Sequence, residues 1–159
     1  MKKKILAFLL FSTVLLLIIY GYFKFLEYKE ENRCLDSEFI ANGEPIWVEF
    51  DSSFTLMELK NMTVEILEKG KMKDGIKLHK VAYYERYEFS IKTKILKTDT
   101  LLIKLKNQEF KIYDFKNGGI RQKAGQNKGI YYCGISELKV NSKLIDTQGA
   151  TTIYLEKQN

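Results

Sequence analysis

The sequence predicts a mainly β fold, a single antiparallel β-sandwich or small barrel of about eight strands, preceded by one N-terminal transmembrane helix. Three observations lead to this prediction. Residues 5–23 form an uncharged apolar run, apolar and polar residues alternate with a period of two after Ile46, and residues that favour turns separate the alternating segments.

The apolar run has the length of a membrane span. Its 19 residues lie between Lys2, Lys3 and Lys4 on one side and Lys24 on the other, and a helix of that length rises roughly 28 Å, close to the roughly 30 Å of a bilayer core. A cleaved secretory signal would have a shorter apolar region and a small-x-small cleavage site. In residues 20–30 only Gly21 is small, so we expect an uncleaved anchor.

The charges around the span predict its orientation. Three lysines precede it, whereas the following segment mixes lysine with glutamate, and the positive-inside rule places the more basic end in the cytoplasm. We therefore expect a cytoplasmic tip at 1–4, a single-pass anchor at 5–23, a juxtamembrane stalk or helix continuation at 24–33, and an extracytoplasmic domain at 34–159. This predicts a cell-membrane protein whose domain faces the periplasm or the cell surface.

The overall basicity comes mostly from the anchor. The chain has 26 Lys plus Arg and 20 Asp plus Glu, a net charge of +6. Residues 1–29 hold five lysines and one glutamate, which is +4 of that total, so the remaining residues carry only +2. A nucleic-acid partner is therefore not expected, because such binding depends on neutralising many phosphates.

The alternating segments predict the strands of the domain. In the clearest hairpin, residues 101–106 turn at Asn107 and Gln108 into residues 109–115. The predicted strands span residues 46–50, 62–66, 80–84, 87–93, 101–106, 109–115, 131–140 and 151–156.

The turn residues agree with this pattern, but one segment is ambiguous. Turns are expected at residues 73–75, in the Gly-rich stretch 116–129, and at Gln148 and Gly149, where residues tolerate positive φ. Residues 54–67 also fit a helix that ends before Gly70, so an α+β fold is the alternative.

The two cysteines, Cys34 and Cys133, predict a disulfide if both lie in an oxidising compartment. Two free thiols or one reactive cysteine are the alternatives. The disulfide is favoured because nothing in the sequence places a base or a metal ligand beside either sulfur.

The motifs do not predict an active site, a metal site or a cofactor. His79 is the only histidine, and zinc-ligand spacings, a calcium loop and a phosphate-binding loop are all missing from the sequence. Asp51, Asp99 and Asp114 are expected to bond nearby backbone N–H groups at strand ends and turns. A pair of carboxylates that meets only in space remains possible.

The segment 83–87 has the most interface-like composition. We expect Tyr83, Tyr84, Arg86 and Tyr87 to contact a protein partner, because Tyr and Arg are enriched in interface hot spots; tyrosines that pack in the core or at a sheet edge are the alternative. The basic run 69–80 is expected to be a solvated hairpin loop, although it could contact anionic lipid or an acidic partner.

Together these features predict a non-enzymatic binding module held at the outer face of the membrane, of the accessory or immunity type found in bacterial envelopes. An envelope hydrolase that cuts cell-wall glycan with a carboxylate pair is one alternative. A structural subunit of an envelope complex is another.

Overall fold

The computed structural model describes residues 2–73, 76, 78–83, 86–121 and 130–157. The chain begins with one continuous helix, α1, at Lys2–Asp36, so residues 24–33 continue the helix. The side chains of residues 10–26 are almost all exposed to the surroundings. Within the described residues this is the one helix long and apolar enough to cross a membrane, which is typical of an anchor or a signal.

Ten strands and a second helix, which is short, follow in the described part of the chain. A 3-10 turn at Ile40–Gly43 precedes the first strand, and α2 is Leu56–Lys60. The strands are β1 Ile46–Phe50, β2 Thr63–Glu68, β3 Lys71–Met72, β4 Leu78–Tyr83, β5 Arg86–Ile91, β6 Thr100–Lys104, β7 Glu109–Arg121, β8 Tyr131–Val140, β9 Lys143–Ala150 and β10 Thr152–Leu155.

The strands form two sheets around one core. The four-stranded sheet has the order β10-β1-β5-β4 and the six-stranded sheet the order β3-β2-β6-β7-β8-β9. All neighbouring pairs are antiparallel except β1 with β10, which is parallel. The mainly β prediction is confirmed as a sandwich-like arrangement, and the barrel alternative is wrong because the described strands do not close.

The core follows the period-two pattern of the sequence. In β1 the side chains of Ile46, Val48 and Phe50 are buried and alternate with half-buried neighbours, and in β6 Leu101 and Ile103 are buried in the same way. Since successive side chains of a strand point to opposite faces, this pattern directs one face of each sheet to the interior.

The ambiguous segment 54–67 contains both a helix and a strand. Thr55 caps α2 through a capping box with Glu58, and Asn61 ends the helix before β2. Two short elements replace the single long helix of the α+β alternative, because a capping box starts the helix and Thr63 begins a paired strand.

The predicted turn at residues 116–119 is wrong. These residues lie inside β7, which pairs with β8 as far as Arg121. The glycines serve close packing: a Cβ on Gly118 would lie 2.6 Å from the Ser136 Cβ, and one on Gly119 would lie 2.2 Å from the Tyr132 carbonyl oxygen.

The chain changes sheet where β9 ends. Gln148 and Gly149 have positive φ, as predicted, but they lie within β9 and not in a turn between strands. A Cβ on Gly134 would lie 1.8 Å from the Gly149 carbonyl oxygen, and one on Gly149 would lie 2.9 Å from the Gly119 carbonyl carbon. Three glycines therefore allow β9 to cross closely over β7 and β8 before β10 joins the other sheet.

Candidate functional site

A covalent link fixes the end of α1 to the domain. Cys34 and Cys133 form the disulfide expected from the sequence, and Cys34 is buried. Hydrogen bonds add to this link: the Lys97 ammonium donates to the Leu35 carbonyl at 3.0 Å, and the Lys97 N–H donates to the Glu38 carbonyl at 2.9 Å.

A buried asparagine completes the junction. The Asn117 Nδ2 group donates to the carbonyls of Cys34, Ser37 and Phe39 at 2.9, 3.3 and 2.8 Å, and its Oδ1 accepts the Ala41 N–H at 3.0 Å. One side chain thus satisfies backbone groups in the last turn of α1 and in the segment that leads from it to β1. The helix end and the sandwich are joined as one unit.

The paired ends of β7 and β8, residues 118–121 and 131–134, extend beside α1 and are called the β7–β8 arm. An Arg121 guanidinium nitrogen lies 4.0 Å from a Glu27 carboxylate oxygen, and the guanidinium is 5.6 Å from the centre of the Tyr131 ring. Burial raises the pKa of the Tyr131 phenol, and the negative charge of Glu31 acts in the same direction.

A cleft of about 1010 Å³ lies where the arm, the end of α1 and the four-stranded sheet meet. Ile120 and Tyr132 line it from the arm, and both side chains are exposed. Pro45 and the half-buried Trp47 line it from the start of β1, and the β9–β10 connection contributes small residues, including Thr151.

The charges around the cleft balance. Glu30 and Arg33 line it from α1, and Glu44 and Lys92 line it from the domain, so two acidic and two basic side chains surround an aromatic and apolar interior. Apolar aromatic centres with polar rims are typical of protein interfaces, where Trp and Tyr supply much of the binding energy. This balance of positive and negative side chains does not favour a polyanion as the ligand of the cleft.

The residues predicted from segment 83–87 lie elsewhere. Tyr83 pairs with Arg86 in backbone register at the ends of β4 and β5, Tyr84 lies outside the described residues, and Tyr87 pairs with Phe50 of β1. Tyr87 is half-buried and packs against the core, as the alternative interpretation of these tyrosines expected. Because Phe50 and Trp47 lie at opposite ends of β1, this hairpin is at the far end of the sheet from the cleft.

The sequence carries a signal for the position of Trp47. It is the only tryptophan of the chain, and the alternation of β1 places it on the face opposite Ile46 and Val48, away from the core. Tryptophan is one of the residue types most enriched in interface hot spots, so its position on an outer face favours a contact surface. The position of Tyr132 could not be found in this way, since it depends on how far the arm extends.

The other residues singled out from the sequence have local structural roles. Asp51 accepts the Ser53 N–H at 3.0 Å and Asp99 accepts the Leu96 N–H at 2.9 Å, as expected. Asp114 differs from the expectation: it lies within β7 and accepts from the Lys139 ammonium of β8 at 2.7 Å. The backbone of His79 pairs with Ser90 in β4. No group of three potential metal ligands comes together among the described residues.

Comparison with known proteins adds nothing to this geometry. No family model matches the chain, and no curated protein or solved structure is significantly similar to it.

Proposed function

We propose that the chain is a single-pass membrane protein whose extracytoplasmic domain binds a segment of another envelope protein in the cleft beside its anchor, without catalysing a reaction. The observation that supports this most is the aromatic cleft built onto the junction between α1 and the domain. The lysines before the span favour a cytoplasmic N-terminus, and the disulfide favours an oxidising compartment for the domain.

The height of the cleft above the membrane indicates which proteins can reach it. Glu30 and Arg33 line it, and they follow Phe23, the last residue of the apolar run, by seven and ten residues. At about 1.5 Å per helical residue, the side of the cleft formed by α1 lies roughly 10 to 15 Å beyond the apolar run. Extracytoplasmic loops or stalks of other membrane proteins reach this height. Because both proteins would be confined to the membrane, a modest interface is sufficient.

A photo-crosslinking experiment in native membranes tests the proposal. A photoreactive phenylalanine analogue replaces Tyr132 in the full chain, and a matched protein carries it at Leu144, which is 60% exposed at the start of β9, at the far end of the six-stranded sheet. We expect a discrete crosslinked protein from position 132 only, and we expect Trp47→Ala to reduce its yield more than ten-fold, because hot-spot residues are worth about 2 kcal/mol or more.

Three outcomes would contradict the proposal. Equal crosslinking at positions 132 and 144 would show that the cleft is not the binding site. A cytoplasmic partner would show that the domain faces the cytoplasm. A crosslink only between two copies of this chain would show self-association and not binding to another protein. The segment 83–87 remains a predicted second contact, and the analogue at Tyr83 tests it in the same preparation.

The hydrolase alternative has less support from the cleft. Among the described lining residues the carboxylates are Glu30 and Glu44, and both side chains are exposed. A glycosidase acid is usually held in apolar surroundings that favour its protonated form. Glu30→Gln together with Glu44→Gln, compared with wild type in a glycan-release assay, tests this alternative directly.

A further inference from the structure

The protein-binding proposal explains only part of the tip of the β7–β8 arm, because Ile120 and Tyr131 line the cleft whereas Arg121 and Ile130 do not. We define the arm tip as Ile120, Arg121, Ile130 and Tyr131. The side chains of Ile120 and Ile130 are 52% and 48% exposed. They lie next to Arg121 and Tyr131, which contact each other. We propose that the arm tip inserts into the lipid headgroup layer of the membrane that holds α1. This inference rests on the anchor part of the proposed function.

The height of the arm tip follows from the helix. Arg121 contacts Glu27, which is four residues after Phe23, so the contact lies roughly 6 Å beyond the end of the apolar run at about 1.5 Å per residue. The headgroup layer on each side of a bilayer is about 5 to 8 Å thick. The Arg121 side chain is therefore at headgroup level.

The disulfide gives an independent measure of the same height. From Cys34 back to Glu27 the helix descends seven residues, about 10 Å. From Cys133 back to Ile130 the arm descends three residues, also about 10 Å for a strand. Because Cys34 and Cys133 are bonded, Ile130 lies at the level of Glu27 and Arg121.

The side chains at this height suit a headgroup layer. Tyrosine is enriched at that depth because its ring is amphipathic, and arginine binds phosphate oxygens through its planar guanidinium. The two isoleucines are exposed in the free domain, and at this height they would be partly withdrawn from water among the headgroups. Since α1 itself enters the bilayer beside the arm, the lipid surface is already within reach, and no second protein is needed to cover the tip.

Tryptophan fluorescence of the full chain in vesicles tests the inference. Trp47 is the only tryptophan, so Trp47→Phe gives a silent background into which Ile130→Trp is introduced as a reporter. Leu144→Trp in the same background is the matched control, because Leu144 is similarly exposed but lies at the other end of the sheet. The vesicles contain phosphatidylcholine, phosphatidylglycerol and a phosphatidylcholine with a nitroxide on its headgroup.

We expect the reporter at position 130 to be quenched several-fold more strongly than the control at position 144. Arg121→Gln should abolish any increase of this quenching with the phosphatidylglycerol fraction. Equal quenching at both positions, or quenching at neither, would overturn the inference. A blue shift at position 130 that depends on protein density and occurs without quenching would show that a second copy covers the tip, and this would also overturn it.

The failure of the anchor can be told apart from the failure of the arm. A chain that does not float with the vesicles would overturn both the anchor and the inference. A chain that floats but leaves position 130 unquenched overturns only the membrane contact of the arm, and the cleft beside it remains a proposed protein-binding site.

Discussion

At the scale of single residues, Asn117 has the most partners in the described junction. Its amide bonds four backbone groups, one in the last turn of α1 and three in the segment between α1 and β1, at 2.8 to 3.3 Å, and the residue is only 7% exposed. The groups that it joins are buried or half-buried, so the loss of the side chain removes the protein partner of several polar groups.

Asn117→Ala is expected to lower the free energy of unfolding by at least about 2 kcal/mol, because each buried unsatisfied group costs about 1 to 3 kcal/mol. Urea titration of the full chain in detergent micelles, followed by near-ultraviolet circular dichroism, measures this loss. Asn107→Ala in the exposed β6–β7 turn is the control, with an expected change within about 0.5 kcal/mol. Equal losses for the two variants would contradict the assigned role.

The sequence did not reveal Asn117 because its partners are distant along the chain. The sequence predicted that Asn117 lies in a turn, because Asn and Gly favour turns. Its actual environment is set by Cys34, Ser37 and Phe39. The alternation of apolar and polar residues predicts which side chains are buried, and it predicted the core residues of β1. It does not predict which polar side chain bonds to segments that are distant along the chain.

At the scale of elements, α2 shows how a five-residue helix is kept in place. Such a helix is too short to be stable alone. The Thr55 hydroxyl accepts the Glu58 N–H, and Glu58 in turn accepts from the Thr55 N–H at 2.8 Å. The Lys157 ammonium, beyond β10, donates to Glu58 at 2.8 Å, so the C-terminal segment is fastened to α2.

These contacts make the stability of α2 sensitive to acid. The hydrogen bond from Lys157, followed by those from Thr55, lowers the pKa of the Glu58 carboxyl from its ordinary 4.5 to about 2. Because the lowered pKa belongs to the folded state, the contribution is complete above pH 4.5 and is lost as the pH falls towards 2.

Glu58→Gln should therefore lower the thermal midpoint of the full chain at neutral pH, and its difference from wild type should vanish as the pH falls towards 2. Differential scanning calorimetry at a series of pH values measures both effects. The exposed Glu156 provides the control through Glu156→Gln. A difference between Glu58→Gln and wild type that does not change across this range would show that the carboxylate has no special role.

The elements also show where sequence patterns succeed and fail. The β6–β7 hairpin was predicted because each strand has its own alternation, but its turn lies one residue earlier than expected. Lys104 pairs with Glu109, and the Leu105 N–H donates to the Gln108 carbonyl, so the chain turns at residues 106 and 107. The end of β7 was missed because Gly118 and Gly119 are ambiguous: glycine marks a turn in one context and a close approach of two strands in another. Only the positions of Ser136 and Tyr132 distinguish the two cases.

At the scale of the whole molecule, the disulfide determines how the anchor and the domain are related. It joins residues 99 positions apart, at the point where α1 reaches the sandwich. Both the height of the cleft and that of the arm depend on this junction. The pairing was predictable from the sequence once the span had placed both cysteines in one compartment, whereas its neighbours in space were not.

Replacing both cysteines by alanine is expected to cost about 2 to 5 kcal/mol of stability, because the unfolded chain gains the freedom of a long loop. Guanidinium titration of the full chain in micelles measures the loss, and reduced wild type should behave like the double variant. An unchanged midpoint, or labelling of both thiols in protein that has not been reduced, would exclude a structural disulfide.

The parallel pairing of β1 with β10 has a consequence for biogenesis. β1 is the first strand after the anchor, whereas β10 follows all the other described strands, so in the proposed topology β1 is exported well before its partner. Until β10 is exported, one edge of β1 has no partner strand. Until Cys133 is exported, Cys34 cannot form its disulfide. Pairings between distant segments also form slowly. In that topology the pairing of β1 with β10 forms only after β10 has been exported, and we expect any chaperone or oxidase that assists this step to act outside the cytoplasm.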